Sequence, residues 1–157
     1  MTGGLVPVST VAPEFEEIVD AFIAREFTSV GNFAEFLIYR PGSIQALQLS
    51  LIGLCRTGAS GKAHWLAQIA IDRLQDEDAW SASLIGLAVG KTQLSDVVNE
   101  TLNDVEICQA CYYAAAAKIS NGKIDDALID LDACLTSAGP CLELHLAAVE
   151  KENLPAG

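Results

Sequence analysis

The pentapeptide SLIGL occurs twice in this chain, at Ser50–Leu54 and again at Ser83–Leu87, an offset of 33 residues. A second correspondence runs at a slightly shorter offset: Trp80, Gly90 and Lys91 match Tyr112, Gly122 and Lys123, each 32 residues on. A period of this length belongs to a helix-turn-helix unit, which cannot bury its apolar face alone and must stack against its neighbours. The recurrence therefore predicts an all-α chain built from successive helical hairpins.

The apolar spacing agrees with that expectation. In PEFEEIVDAFIAREF, Phe15, Ile18, Val19, Phe22, Ile23 and Phe27 recur at intervals of three and four, predicting one amphipathic helix opened by Pro13. NFAEFLIYR follows and stops at Pro41-Gly42. Ser43 is placed to cap SIQALQLSLIGLCRTG, which is apolar on most sides and should be a central helix. The alternation of Leu47, Leu49 and Leu51 admits a strand, but the apolar run is about three helical turns long and rich in leucine rather than β-branched residues.

Further along, Ser60 is read as the cap of GKAHWLAQIAIDRLQ, Asp78 of AWSASLIGLAVG and Thr92 of QLSDVVNETL. Asp104 opens VEICQACYYAAAAKIS, whose four consecutive alanines favour helix and let a neighbour approach closely. Asn121-Gly122 makes a turn into KIDDALIDLDACLTSAG, where Ile124, Ala127, Leu128, Leu131, Cys134 and Leu135 fall at helical spacing. Gly139 should end that helix and Pro140 start the last, PCLELHLAAVEKEN.

A chain of 157 residues matches a single domain with its own core. Residues 1–13 contain Gly3, Gly4, Pro7 and Pro13 without a periodic apolar face and read as a mobile leader; 14–153 read as one helical domain. A net charge of −12 with only nine Lys and Arg argues against nucleic-acid binding, which needs clustered cations, and makes a basic partner the natural one. There is no apolar run of membrane-spanning length and no cationic signal-peptide region, so neither a membrane nor export is expected and the default compartment is the cytoplasm. The five cysteines then read as reduced thiols.

ACYYAAAAKISNGKIDDALIDLDACL resembles a tetratricopeptide repeat, the helical hairpin that stacks into a superhelix. The resemblance rests on the turn residue Gly122, apolar Ile124, small Ala127, large Leu131, small Cys134 and the boundary Gly139-Pro140. Cys111 or Tyr112 stands at the family's large aromatic, and Ala114-Ala115 at its close-packing pair. Trp80 supplies the aromatic of a middle copy, with Val97 at a small-residue place, and SGKAHWLAQIAIDRL fits a first copy loosely. The repeats fall roughly at 43–75, 76–103 and 104–139, followed by a capping helix at 140–153. The resemblance implies a short right-handed α-solenoid of about seven to nine helices.

The chemical motifs are weaker than they look. Around Gly61-Lys62, Arg56 stands where a P-loop needs its first glycine and Ala63 where it needs a hydroxyl. Gly90-Lys91-Thr92 has the hydroxyl, but Gly86 leaves one residue too few in the loop. Both are read as interhelical turns. Cys108 and Cys111, with Cys134, Cys141 and His145, contain enough ligand types for zinc, yet Cys111 and Cys134 fall on positions that want small core residues. His64 and His145 have no catalytic partner in sequence, and the acids Glu14, Glu16, Glu17, Asp125, Asp126, Asp130 and Asp132 read as solvated helix faces.

The expected function is therefore non-catalytic, with no cofactor: a concave surface lined by the first helix of each pair, holding a peptide or partner helix. The candidate partner-binding residues are Trp80, Leu84 and Leu87, with Gln109, Tyr112, Ala116 and Ile119 in the next repeat. Small size and acidity resemble the secretion chaperones that shield apolar segments of partners. The competing expectation is a structural module that associates into a homo-dimer through the Phe22, Phe27, Phe33 and Phe36 region.

Overall fold

The computed structural model describes residues 14–39, 43–137 and 140–154. They form helices α1 (Phe15–Ile23), α2 (Phe27–Asn32), α3 (Ala34–Tyr39), α4 (Ile44–Arg56), α5 (Ser60–Leu74), α6 (Ala79–Ala88), α7 (Leu94–Val97), α8 (Asp104–Ser120), α9 (Ile124–Thr136) and α10 (Leu142–Asn153), with no strand among the described residues. The expected leader at 1–13, the Pro41-Gly42 break and the Gly139 terminator lie outside the described residues.

Two helices organise the rest. In α4, every residue from Ala46 to Leu54 is buried, so the helix is wrapped on all sides, and it touches α1, α2, α3, α5, α6 and α8. Ser43 caps it, its hydroxyl accepting from the Ala46 amide at 3.3 Å. Helix α8 is buried at Cys108 and throughout Ala110–Ala117, and touches α4, α6, α7, α9 and α10. Its start is fixed by a reciprocal capping box: Asn103 accepts from the Glu106 amide at 2.8 Å while the Glu106 carboxylate accepts from the Asn103 amide at 3.0 Å.

One turn is built three times. Gly58, Gly90 and Gly122 carry φ values of 86°, 80° and 77°, and each stands 32 residues from the next. After each, the following amide reaches back across the turn to a carbonyl five residues earlier at 2.8 Å: Ala59 to Leu54, Lys91 to Gly86 and Lys123 to Lys118. This bond, with a left-handed glycine after the last helical residues, is the Schellman closure of a helix C-terminus. The SLIGL offset of 33 is thus one residue out of register with the turns. Gly53 in the first copy lets α2 cross α4 at backbone contact, since a Cβ there would lie 2.8 Å from the Gly31 nitrogen and the Phe27 oxygen. Gly86 in the second copy instead makes room for the Thr92 side chain.

Several expected boundaries move. The first helix stops at Ile23 instead of continuing to Phe27, because Arg25 adopts a left-handed φ of 64°. Ser60 and Thr92 do not cap: Ala59 precedes α5 without a side-chain bond, and Gln93 precedes α7. Asp78 does cap α6, accepting from the Ser81 amide at 3.1 Å. The largest difference is at QLSDVVNETL, which is helical only over Leu94–Val97 and turns extended at Val98. Asp130, expected in solvent, is buried against Lys118 at 2.5 Å.

Contacts also run across the order of hairpins. Helix α4 touches α8, and side chains of α10 bond back to α4 and to Arg25. The helices are therefore tied together by contacts between elements distant in sequence as well as between neighbours. Of the phenylalanines expected on a self-associating face, Phe22 is fully buried and meets Phe27 edge-on at 5.4 Å between centroids, while Phe27, Phe33 and Phe36 are half-buried.

Candidate functional site

A cleft of about 590 Å³ lies between the α6–α7 connection and α8. That volume lies within the roughly 300–1,000 Å³ typical of ligand sites. Its origin is local. The helices that follow the first and third turns, α5 and α9, run for 15 and 13 residues, but α7 has only 4. The chain between turns is instead taken up by α8, which at 17 residues is much longer than the 10-residue α6. A wall that a full-length second helix would cover is left partly open.

The floor of the cleft is the small-residue face of α8, Cys111, Ala114 and Ala117, placed by helical spacing on one side, with Asn121 just past the helix end. Leu87, Leu94, Val98 and Ile107 form apolar walls, and Val98 is an exposed large hydrophobic residue. Lys118 and Lys123 stand among its lining residues, which include no carboxylate. Lys118 is paired with the buried Asp130, and Lys123 is exposed at the start of α9.

Beside the cleft is a smaller cavity of about 240 Å³ where the three turns meet, lined by Gly58, His64, Gly90 and Asn121 among others. Here His64 Nε2 lies 2.6 Å from the Val89 carbonyl oxygen, so the ring clamps α5 to the end of α6. Thr92, the hydroxyl of the P-loop-like GLAVGKT, packs against Gly86, and the Gly90 turn closes a helix end.

The interior contains a polar axis that sequence reasoning missed. Glu143 and Glu150, seven residues apart and so on one face of α10, are both fully buried. Glu150 is 2.8 Å from Arg25 and 2.5 Å from Arg56, and accepts from the Tyr112 hydroxyl at 3.3 Å. The two guanidinium groups flank the Phe27 ring at 4.7 and 4.9 Å from its centroid. Glu143 is held by neutral donors: Tyr113 at 2.8 Å, Gln45 at 2.9 Å and Gln109 at 3.4 Å. Burial and the adjacent carboxylates push both tyrosine hydroxyls well above their ordinary pKa. A helix read as amphipathic shows its glutamates as exposed by default, and only the adjacent Tyr112-Tyr113 pair, which needs buried partners for two hydroxyls, signals otherwise.

The expected binding residues separate. Tyr112, Leu84 and Ala116 are buried and present no surface to a partner, Tyr112 because its hydroxyl serves Glu150. Leu87 is buried but lines the cleft. Trp80 and Gln109 are half-buried and bond to each other, the indole N–H donating at 3.1 Å. Ile119 is half-buried on the last turn of α8.

The five cysteines are free thiols, with Cys108, Cys111 and Cys134 buried and Cys55 and Cys141 half-buried. The Cys134 thiol donates to the Glu143 carbonyl oxygen at 3.8 Å. Desolvation pushes Cys55 and Cys111 to about 11 and Cys141 to about 12, and raises Cys134 further. Among the described residues, no three of His, Cys, Asp and Glu are arranged to hold a metal ion, and no helix is long and apolar enough to cross a membrane.

Comparison with protein-family models, with curated proteins and with solved structures finds no match to the chain.

Proposed function

We propose that this protein is a non-catalytic binding module whose site is the cleft between the α6–α7 connection and α8, built on a closed variant of a tetratricopeptide-like helical repeat. The observation that carries the reading is the cleft itself, an apolar trough of about 590 Å³ beside a helix face of small side chains. Three Schellman turns at 32-residue spacing support the repeat, and the crossing of α10 onto α4 explains why the site lies between hairpins rather than in a concave channel. Of the expected set, Leu87 lines the cleft, joined there by Val98, Ile107 and Ala114; Leu84, Tyr112 and Ala116 are buried, and Trp80, Gln109 and Ile119 lie outside the lining. The ligand is a segment of another protein, in keeping with an apolar lining and the raised, unreactive thiols nearby.

Panning a random peptide library against the full chain, with Ala114→Trp and Val98→Asp as counter-selections, tests the reading. Ala114 lies on the cleft floor and Val98 on its exposed wall, so one variant fills the trough and the other puts a charge in it. Peptides enriched on the wild type and lost on both folded variants are expected. Enrichment that is unchanged on the variants, or none at all, refutes the site.

A further inference from the structure

Resting on that reading, we infer that the occupant of the cleft is an acidic amphipathic helix, lying where the middle hairpin lacks the length of its own second helix. Two independent observations converge. The first is the repeated geometry. Each of the three turns closes the same way, and after the first and third a helix of 15 or 13 residues follows, whereas α7 stops after 4 and the chain turns extended. The cleft runs alongside α8 in the gap this leaves, and its floor residues Cys111, Ala114 and Ala117 are small enough for a second backbone to approach closely.

The second observation is charge. The net charge of −12 repels acidic partners from most of the surface, yet the cleft is lined by Lys118 and Lys123 and by no acid. Lys118 is already paired with Asp130 at 2.5 Å, while Lys123 is exposed at the start of α9 and Lys91 is exposed beside the Gly90 turn. Asp125, Asp126 and Asp132 make α9, which packs on α8, acidic on its exposed face. A helix of similar character, with leucine or alanine inward and carboxylates toward Lys123, complements the cleft in shape and sign. This reverses, at the site, the basic partner that net charge alone predicts.

The experiment uses the full chain and two fluorescein-labelled synthetic peptides of the length of α5, 15 residues. Both carry the same Leu and Ala face; one has glutamates on its polar face and the other lysines. Fluorescence anisotropy should show the glutamate peptide binding and the lysine peptide binding at least about tenfold more weakly. Lys123→Glu should weaken the glutamate peptide by about three- to tenfold and flatten its salt dependence. A glutamate at the start of α9 suits the helix dipole, so the variant should keep its fold, checked by circular dichroism. Val98→Asp should weaken the same peptide without involving α9. Equal binding of the two peptides, or preference for the lysine peptide, overturns the acidic helix while leaving the cleft a binding site. Binding of neither overturns it too; library peptides that still depend on Ala114 and Val98 would then preserve the broader reading, and their absence would remove both.

Discussion

Replacing Glu150 with glutamine tests whether the buried polar axis holds the fold together. The substitution keeps an acceptor for the Tyr112 hydroxyl but removes the negative charge that faces Arg25 at 2.8 Å and Arg56 at 2.5 Å. Removing one partner of a buried ion pair typically costs about 3–5 kcal/mol, because the other charge is left without water or counter-ion. The Arg25 side chain is 27% exposed and can turn outward; that of Arg56 is 7% exposed and cannot. The loss should therefore fall at the lower end, about 3 kcal/mol. For a chain of this length, that lowers Tm by about 6–12 °C. Urea unfolding followed by circular dichroism measures it directly. Arg56→Met should be similarly damaging, whereas the double variant Arg56→Met with Glu150→Met removes the stranded charge. Its loss should be smaller than the sum of the single losses by about 2 kcal/mol. A loss below about 1 kcal/mol for Glu150→Gln, or strict additivity in the cycle, would refute the view of a tightly coupled interior cluster.

Four further outcomes follow from the same structure. Alanine at Gly58, Gly90 or Gly122 should cost about 1–2 kcal/mol at each position, since an added Cβ meets nothing closer than 3.9 Å and only the left-handed backbone is strained; unequal losses in urea melts would break the equivalence of the turns. Gly53→Ala should cost considerably more than any of these, because its Cβ would press on the Gly31 and Phe27 backbone at 2.8 Å. Tyr112 and Tyr113 have folded-state pKa values raised above that of the unfolded chain, so stability is intact below about pH 10 and falls as pH rises beyond it; ultraviolet titration should show two of the three tyrosines ionising together with loss of helix. At neutral pH a thiol reagent should modify the native protein slowly and all five cysteines after denaturation, as Cys55 and Cys141, the half-buried pair, sit at about 11 and 12; rapid reaction of two or more native thiols would contradict this.

Much of the helical layout could be read from the residues because it depends on local rules. The Ser43 and Asp78 caps, the apolar spacing of α4 and α9, and the Gly58, Gly90 and Gly122 turns each follow from a few neighbouring side chains. The departures have tertiary causes. Nothing near Arg25 in sequence asks for a left-handed φ, a conformation costing about 1–2 kcal/mol outside glycine. The contact that accompanies it is with Glu150, at the other end of the described chain. The second helix of the middle copy reads as short from the sequence, but α7 is shorter still: QLSDVVNETL has an acceptable helical pattern, yet Val97 and Val98 are β-branched and the Asn103 capping box commits the residues after it to α8. The candidate site was hidden with it, since the cleft is defined by a helix that stops early rather than by a motif.

The same two departures bear on how the helices close around the interior. A stack of hairpins in which each touches only its neighbours leaves the first helices lining open space. Here the left-handed Arg25 and the C-terminal end of α4 deliver two cations to Glu150, while Gln45 reaches Glu143 one face-length earlier on the same helix. Fixed at both points, α10 lies across the ends of the array and joins α4 to α8 through Tyr112 and Tyr113. Tyr112 and Ala116 are buried in this interior, and the face of α8 beside α7 is left as a partly open apolar surface. Loss of Glu143 and loss of Glu150 should therefore differ in consequence: Glu143→Gln retains a polar partner for its neutral donors and should cost little, while Glu150→Gln strands charge. Equal losses for the two substitutions would show that α10 is held by packing alone.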